Sequence, residues 1–86
     1  MISLTSERFW RLYGSLPSDA KDAARKAFAL WADNPNHPSL RFKPLRGSGN
    51  CWSVRVGQQY RAVGVREGDT IIWFWIGTHN EFDKSF

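Results

Sequence analysis

Two stretches in the first third of the chain carry apolar residues at helical spacing. In the first stretch they stand at i, i+3, i+4 and i+7, namely at Phe9, Leu12, Tyr13 and Leu16. Thr5 or Ser6 can cap this helix, because a short hydroxyl side chain accepts a hydrogen bond from the first free backbone N–H groups. The helix must end between Gly14 and Pro17, since glycine and proline both disfavour a helix interior.

A second helix is predicted to follow, with Ser18 as its N-cap. Its apolar stripe consists of Ala20, Ala24, Ala27, Phe28 and Trp31. Asp19 and Asp22 stand near the N-terminal end, where the helix dipole favours negative charge. The pair Asn34-Pro35 ends the helix, because a residue that precedes proline avoids the helical conformation.

From Ser39 onward the apolar period changes from about 3.6 to about 2, which is typical of strands. We predict four strands over residues 40–43, 52–56, 60–66 and 71–76, separated by turns at 47–50, 57–59 and 67–69. Because these loops are short, successive strands should be antiparallel neighbours. The predicted fold is α+β: one domain over residues 1–86, with two N-terminal helices packed on a four-stranded antiparallel sheet.

The last predicted strand, Ile71 to Ile76, has no polar alternation. Such a strand is usually buried on both faces of its sheet, whereas two helices can cover only one face. A large exposed apolar surface is uncommon on a monomer. We therefore expect the segment after Gly77 and a partner protein to cover the other face together.

Positive charge is concentrated in the middle of the chain. Residues 34–66 contain six basic and no acidic side chains, whereas residues 1–33 contain five basic and four acidic ones. The six are Arg41, Lys43, Arg46, Arg55, Arg61 and Arg66. Cationic side chains without acidic neighbours attract phosphates, so this segment is a candidate nucleic-acid surface; the alternative is a solvated basic surface.

The remaining sequence features limit the class of protein. The start of the chain lacks the pattern of a secretory signal, and no apolar run is long enough to span a bilayer. Cys51 is the only cysteine, so neither an internal disulfide nor a cysteine-based metal cluster is predicted. We expect a cytoplasmic protein with no membrane partner, no metal and no cofactor.

Five segments, taken in order, resemble the RelE/ParE toxins over nearly the whole chain. They are Leu16-Pro17, Asn34-Pro35 with the following residues 37–40 and then Lys43 and Leu45, Trp52 to Val56, Tyr60-Arg61-Ala62, and Trp75 to His79. The resemblance implies a small basic toxin of a type II toxin–antitoxin system, held inactive by an antitoxin. The RelE branch cuts messenger RNA in the ribosome, and the ParE branch is associated with poisoning of DNA gyrase.

The resemblance also implies candidate catalytic residues. Arg61 matches the arginine of a Tyr-Arg pair, and Arg55 matches a basic position on the preceding strand; arginine can hold two phosphate oxygens at once. His79 follows the last strand, where relatives often place an arginine or a histidine, and histidine transfers protons near neutral pH. Glu81 is a further candidate base. The alternatives are that Arg61 only pairs with Glu81 or Asp83 and that His79 is structural.

Other residues are assigned to RNA binding or to structure. Arg41, Lys43 and Arg46 would hold the backbone of RNA, messenger or ribosomal. Phe82 stands where many RNA-cutting relatives have tyrosine, so it lacks the hydroxyl but can stack on a base. Ser53 stands near a position that is often lysine in active relatives. His37 is expected to shape its loop through hydrogen bonds.

Three functional hypotheses follow. The first is a metal-independent endoribonuclease acting on messenger RNA, in which Arg55 and Arg61 bind the scissile phosphate and His79 transfers a proton. The second is a non-catalytic toxin that inhibits DNA gyrase. The third is an inactive interaction module, which the departures at Ser53 and Phe82 leave open. Strand parity leaves open which face of the sheet Arg61 occupies.

Overall fold

A five-stranded mixed sheet lies at the centre of the fold, with helices on both faces. The structure is a computed structural model that describes residues 1–47 and 49–86. In chain order the elements are β1 (Ile2–Thr5), α1 (Glu7–Gly14), α2 (Ser18–Asp33), a 3₁₀ turn (Pro38–Leu40), β2 (Lys43–Pro44), β3 (Cys51–Val56), β4 (Tyr60–Glu67), β5 (Thr70–Thr78) and α3 (His79–Ser85). The strand order is β1-β5-β4-β3-β2, with β1 parallel to β5 and the other neighbours antiparallel.

The predicted pair of N-terminal helices and the antiparallel order of the last four strands are confirmed, but the four-stranded sheet is wrong. β1 was missed because it has only four residues, all of them exposed, and pairs with a strand nearly seventy residues away, Ile2 with Thr70. A short strand without a buried face leaves little alternation in the sequence. α3 was missed as well, since its seven residues bury none of their side chains fully.

The first predicted strand is also mostly wrong. Leu40 belongs to the 3₁₀ turn, and Arg41 after it has a left-handed φ of 47°. The strand that forms here, β2, consists of Lys43 and Pro44, which pair with Ser53 and Trp52 of β3. A short edge strand that carries lysine and proline resists pairing with other chains. The predicted turn at 47–50 includes Ser48, which lies outside the described residues.

The predicted N-cap is confirmed for α1 and wrong for α2. The hydroxyl of Ser6 accepts a hydrogen bond from the backbone N–H of Phe9 over 3.2 Å, so α1 has the predicted cap. The predicted cap of α2 is wrong: Pro17 occupies the N-cap position and Ser18 is already helical. His37 shapes its loop as predicted, because its Nδ1 accepts a hydrogen bond from the backbone N–H of Ser39 over 3.2 Å.

The main core lies between α1, α2 and the sheet. Its largest side chains, Phe9, Trp31 and Trp73, are each at most 1% exposed. Trp31 and Trp73 meet edge to face with ring centroids 5.6 Å apart, a preferred aromatic geometry. The cross-strand set Val54, Ala62 and Ile76 belongs to the same core. These residues therefore define the inner face of the sheet.

The opposite, outer face of the sheet is covered in part by α3. Phe82 and Phe86 lie one helical turn apart and contact Trp75, with ring centroids 6.3 and 5.2 Å from its ring. Ser53 and Val63, the register partners beside Trp75, are fully buried. The expectation that the segment after Gly77 covers this face is therefore confirmed; cover by a partner remains a prediction.

A tight contact at Gly64 joins β4 to β5. The register between these strands shifts at Val63/Gly64, and a Cβ atom at Gly64 would lie 2.8 Å from Cγ1 of Ile71 and 2.9 Å from the backbone oxygen of Ile72. The backbone oxygen cannot move aside without disturbing the ladder. Only glycine therefore fits this position of the sheet.

We expect Gly64→Ala to lower the free energy of unfolding by about 1–3 kcal/mol through overpacking. The matched control is Gly14→Ala at the end of α1, where a Cβ atom meets nothing within 4 Å. That variant should be neutral or slightly stabilising. Urea unfolding of both variants would check this, and equal stability of the two would contradict the proposed steric cause.

Candidate functional site

Three arginines and one histidine line a single cavity at one end of the sheet. The cavity has a volume of about 250 Å³, and its lining consists of Arg41, Arg55, Gln58, Tyr60, Arg61 and His79. We call it the arginine cavity. No carboxylate is part of its lining, so its electrostatic character is strongly positive.

The sheet register places two of these arginines opposite each other. Arg55 on β3 is the direct cross-strand partner of Arg61 on β4, and both alternate with inner-face residues, so they lie on the outer face. This answers the question that strand parity left open. Like charges directly opposite are unfavourable, and a bound anion would offset their repulsion. Arg41 joins them from the left-handed residue after the 3₁₀ turn.

Arg61 is held firmly and yet is not saturated with partners. Its Nε donates a hydrogen bond to Nδ1 of His79 over 3.2 Å, and its Cζ lies 5.1 Å from the ring centroid of Phe82. Its Nη1 is buried and has no hydrogen-bond partner within residues 1–47 and 49–86. An arginine with an unsatisfied nitrogen among other cations has an unused capacity to bind an anion.

The charges around Arg61 also favour the binding of an anion. Burial lowers the pKa of the Arg61 guanidinium below its ordinary value, and the neighbouring charges of Arg41 and Arg55 lower it further, while Asp83 opposes the decrease. The guanidinium stays charged, but its charge is less favourable here than in water. A phosphate bound in the arginine cavity would relieve this cost.

His79 connects Arg61 to an acidic residue of α3. Its Nε2 lies 3.3 Å from Oδ2 of Asp83, one turn further along the helix. Because Nδ1 accepts from Arg61, the neutral imidazole carries its proton on Nε2, the nitrogen that faces Asp83. The backbone N–H of His79 also donates to the backbone oxygen of Gln59 over 2.7 Å. The histidine thus has a fixed orientation and tautomer.

Glu81, the predicted alternative base, is engaged in a capping box. Its Oε1 accepts hydrogen bonds from the backbone N–H and the hydroxyl of Thr78, both over 2.9 Å, and its backbone N–H donates to that hydroxyl. These hydrogen bonds from Thr78 lower the pKa of the Glu81 carboxyl. Glu81 therefore stabilises the start of α3 and is not part of the arginine cavity.

The structure separates the other predicted residues from the cavity. The ring of Phe82 contacts the guanidinium of Arg61 and packs on Trp75, so it is engaged within the protein. Lys43 and Arg46 are exposed, but neither lines the cavity. Arg41, predicted only to hold RNA backbone, lies beside Arg55 and Arg61. These three arginines and His79 are the residues brought together.

Sequence reasoning missed three residues at this site. Gln58 and Tyr60 line the arginine cavity, and Asp83 orients His79. The signal for the first two was their position in and after the turn that joins the strands of Arg55 and Arg61. The signal for Asp83 was its spacing of four residues from His79, although a helix had to be assumed there.

Comparison with known families identifies the fold. The family described as the ParE-like toxin domain matches residues 18–84 of this chain. The chain belongs to this family. A comparison with curated protein sequences gives no match. No helix within residues 1–47 and 49–86 has the length and apolar character required to cross a bilayer.

Solved structures of this toxin superfamily share the fold. The RelB–RelE antitoxin–toxin complex from Methanococcus jannaschii contains a chain with a TM-score of 0.76 and 20% identity, over 96% of this chain and 98% of that chain. YafQ from E. coli gives 0.74 and 13% identity, over 93% and 94%. The RelBE2 toxin–antitoxin complex from Mycobacterium tuberculosis gives 0.73 and 20% identity, over 91% and 96%. At these identities the likeness establishes the RelE-like fold.

The capping box makes α3 sensitive to acid. Because folding lowers the pKa of Glu81, its contribution is fully present above the unfolded-state value of about 4.3 and is lost as pH falls through the lower folded-state value. The helical Cα chemical shifts of residues 79–85 should therefore decrease as pH falls from about 5 to about 3.

The variant Glu81→Gln removes this titration, so its Cα shifts should start lower and change much less over the same range. Glu67→Gln is the matched control, because Glu67 is exposed at the end of β4 and caps no helix. It should keep the wild-type profile. An unchanged acid response in Glu81→Gln would contradict the assigned cause.

Proposed function

We propose that this protein is the toxin of a type II toxin–antitoxin pair and an endoribonuclease that cleaves messenger RNA. The observation that carries the proposal is the arginine cavity: Arg41, Arg55 and Arg61 converge with His79 on a space of about 250 Å³. Three guanidinium groups suit a phosphate and the extra negative charge of its transition state. His79 supplies proton transfer in the same cavity.

The chemistry follows from the fixed tautomer of His79. The 2′-oxygen of the RNA attacks the adjacent phosphorus, the bond from phosphorus to the 5′-oxygen breaks, and a 2′,3′-cyclic phosphate and a 5′-hydroxyl result. When Arg61 turns its Nε from His79 to the phosphate, Nδ1 becomes free to accept the proton of the 2′-hydroxyl. Asp83 stabilises the imidazolium through Nε2, and the leaving oxygen takes a proton from solvent.

The proposal predicts that Arg61→Ala and His79→Ala each reduce RNA cleavage by at least about 10²-fold, as expected for loss of a transition-state contact or of a proton-transfer group. Both variants should also relieve growth arrest on expression. Arg11→Ala is the matched control, since Arg11 is exposed on α1 and outside the arginine cavity. Cleavage of a defined messenger, with and without ribosomes, is the measurement.

Growth arrest and messenger cleavage that survive both substitutions would overturn the ribonuclease proposal. The second candidate is inhibition of DNA gyrase, which the ParE-like family description favours, while the departures at Ser53 and Phe82 weaken the ribonuclease proposal. Growth arrest with intact messenger RNA and inhibited supercoiling by gyrase would support it. Absence of both activities, with a binding partner retained, would support an inactive interaction module.

The antitoxin partnership is supported by the exposed edge of the sheet. Ile2 and Leu4 on β1 are 56% and 50% exposed, and Trp10 on the adjacent α1 is 52% exposed. Apolar side chains grouped at an open strand edge are typical of a protein interface. Two of the similar structures are complexes of a toxin with its antitoxin. We therefore place the antitoxin on this edge.

The double variant Leu4→Glu, Trp10→Glu should weaken binding of the antitoxin encoded beside this gene by at least about tenfold, because charges replace apolar contacts. The double variant Asn36→Glu, Asn50→Glu is the matched control, because both residues are exposed and lie outside β1 and α1. Isothermal titration calorimetry would measure both. Wild-type affinity of the double variant would place the antitoxin elsewhere.

A further inference from the structure

A second cavity adjoins the arginine cavity at the tip of the turn between β3 and β4. It has a volume of about 490 Å³ and is lined by Gln58, Gln59, Thr78, His79 and Asn80. Gln58 and His79 line both cavities. The second cavity differs in chemistry, because three side-chain amides take the place of the arginines. We call it the amide cavity.

The walls of the amide cavity are tied to each other. The hydrogen bond from the backbone N–H of His79 to the oxygen of Gln59 joins the start of α3 to the turn, over 2.7 Å. The hydroxyl of Thr78 is occupied by the capping box with Glu81. The backbone around the cavity is therefore held in place without a ligand, which reduces the entropic cost of binding one.

The amides themselves are unoccupied. Gln58, Gln59 and Asn80 are exposed, and none of their side chains forms a hydrogen bond to another described residue. Each amide offers both an acceptor oxygen and a donor NH₂ group. Such groups suit a neutral ligand that presents hydrogen-bond donors and acceptors along one edge. Because the two cavities adjoin, that ligand would lie next to a phosphate in the arginine cavity.

A nucleobase attached to the bound phosphate meets both conditions. Arginine and lysine are the usual partners of guanine, and a carboxylate is the usual partner of the cytosine amino group, whereas asparagine and glutamine pair with adenine through two hydrogen bonds. The lining of the amide cavity contains no lysine, arginine or carboxylate. Its chemistry therefore favours adenine.

We propose that the amide cavity binds an adenine base of the RNA whose phosphate lies in the arginine cavity, and that Gln59 and Asn80 determine this preference. The proposal rests on the proposed function, since it requires RNA phosphate to occupy the arginine cavity. Gln59 and Asn80 line the amide cavity and not the arginine cavity, so their substitution separates base recognition from phosphate binding.

The test is the affinity of the wild-type protein for four homotrinucleotides of A, G, C and U that carry 2′-O-methyl groups, which block attack by the 2′-oxygen. Inorganic phosphate is titrated in parallel, and NMR chemical shifts report binding. The adenine trinucleotide should bind on the order of tenfold more tightly than the uracil trinucleotide. In the variants Gln59→Ala and Asn80→Ala this preference should fall toward unity, with phosphate affinity unchanged.

Asn36→Ala is the matched control, because Asn36 is an exposed amide outside both cavities, and it should keep the preference. The proposal would be overturned by equal binding of all four trinucleotides, by preference for another base, or by a preference that survives both substitutions. If phosphate still binds in these cases, the proposed function remains intact. Absence of binding by phosphate and by every trinucleotide would overturn both.

Discussion

The contact of α3 with Trp75 is the interaction on which the outer face of the sheet and the arginine cavity both depend. Phe82 and Phe86 cover the indole ring, and the same helix carries His79 and Asp83. A Cβ atom at Gly77 would lie 2.7 Å from that indole ring, so the ring lies directly against Gly77 and needs glycine there. Aromatic pairs of this kind contribute about 0.5–1.5 kcal/mol each beyond simple burial.

The helix contact has an electrostatic consequence. Arg55 and Arg61 face each other across two strands, and Arg41 adds a third positive charge, an arrangement that is unfavourable without an anion. Phe82 and His79 hold Arg61 in this environment through a cation–π contact and a hydrogen bond. The chain therefore uses the stability of its aromatic contacts to keep three cations together, as a phosphate site requires.

The sequence predicted the parts of the fold in which local pattern and burial coincide. The stripe of α2 places its buried side chains on one face of the helix, and the alternation in β3 places Val54 and Val56 in the core, so these elements could be assigned from spacing alone. β1 could not be predicted, because its pairing with β5 is parallel and distant and its own residues are exposed. Nor could the left-handed turn at Arg41, which comes from the chain leaving the 3₁₀ turn.

The same distinction applies to the candidate site. Arg55, Arg61 and His79 were named from the resemblance, and the cross-strand register and α3 bring them together. Glu81 was named for its charge, but its position three residues after Thr78 makes it a capping residue. The amides of the amide cavity belong to no sequence motif. The cavity is formed jointly by a turn and by a helix start that are twenty residues apart in the sequence.

The central claim is that Arg55, Arg61 and His79 form one phosphate site. Its most direct test is a titration of the wild-type protein with inorganic phosphate, in which NMR follows the Nε–H signals of both arginines and the ring nitrogens of His79. We expect all of these signals to shift with a single dissociation constant, and Nδ1 of His79 to lose its hydrogen bond from Arg61. Signals that do not respond, or that respond with separate constants, would contradict a shared site.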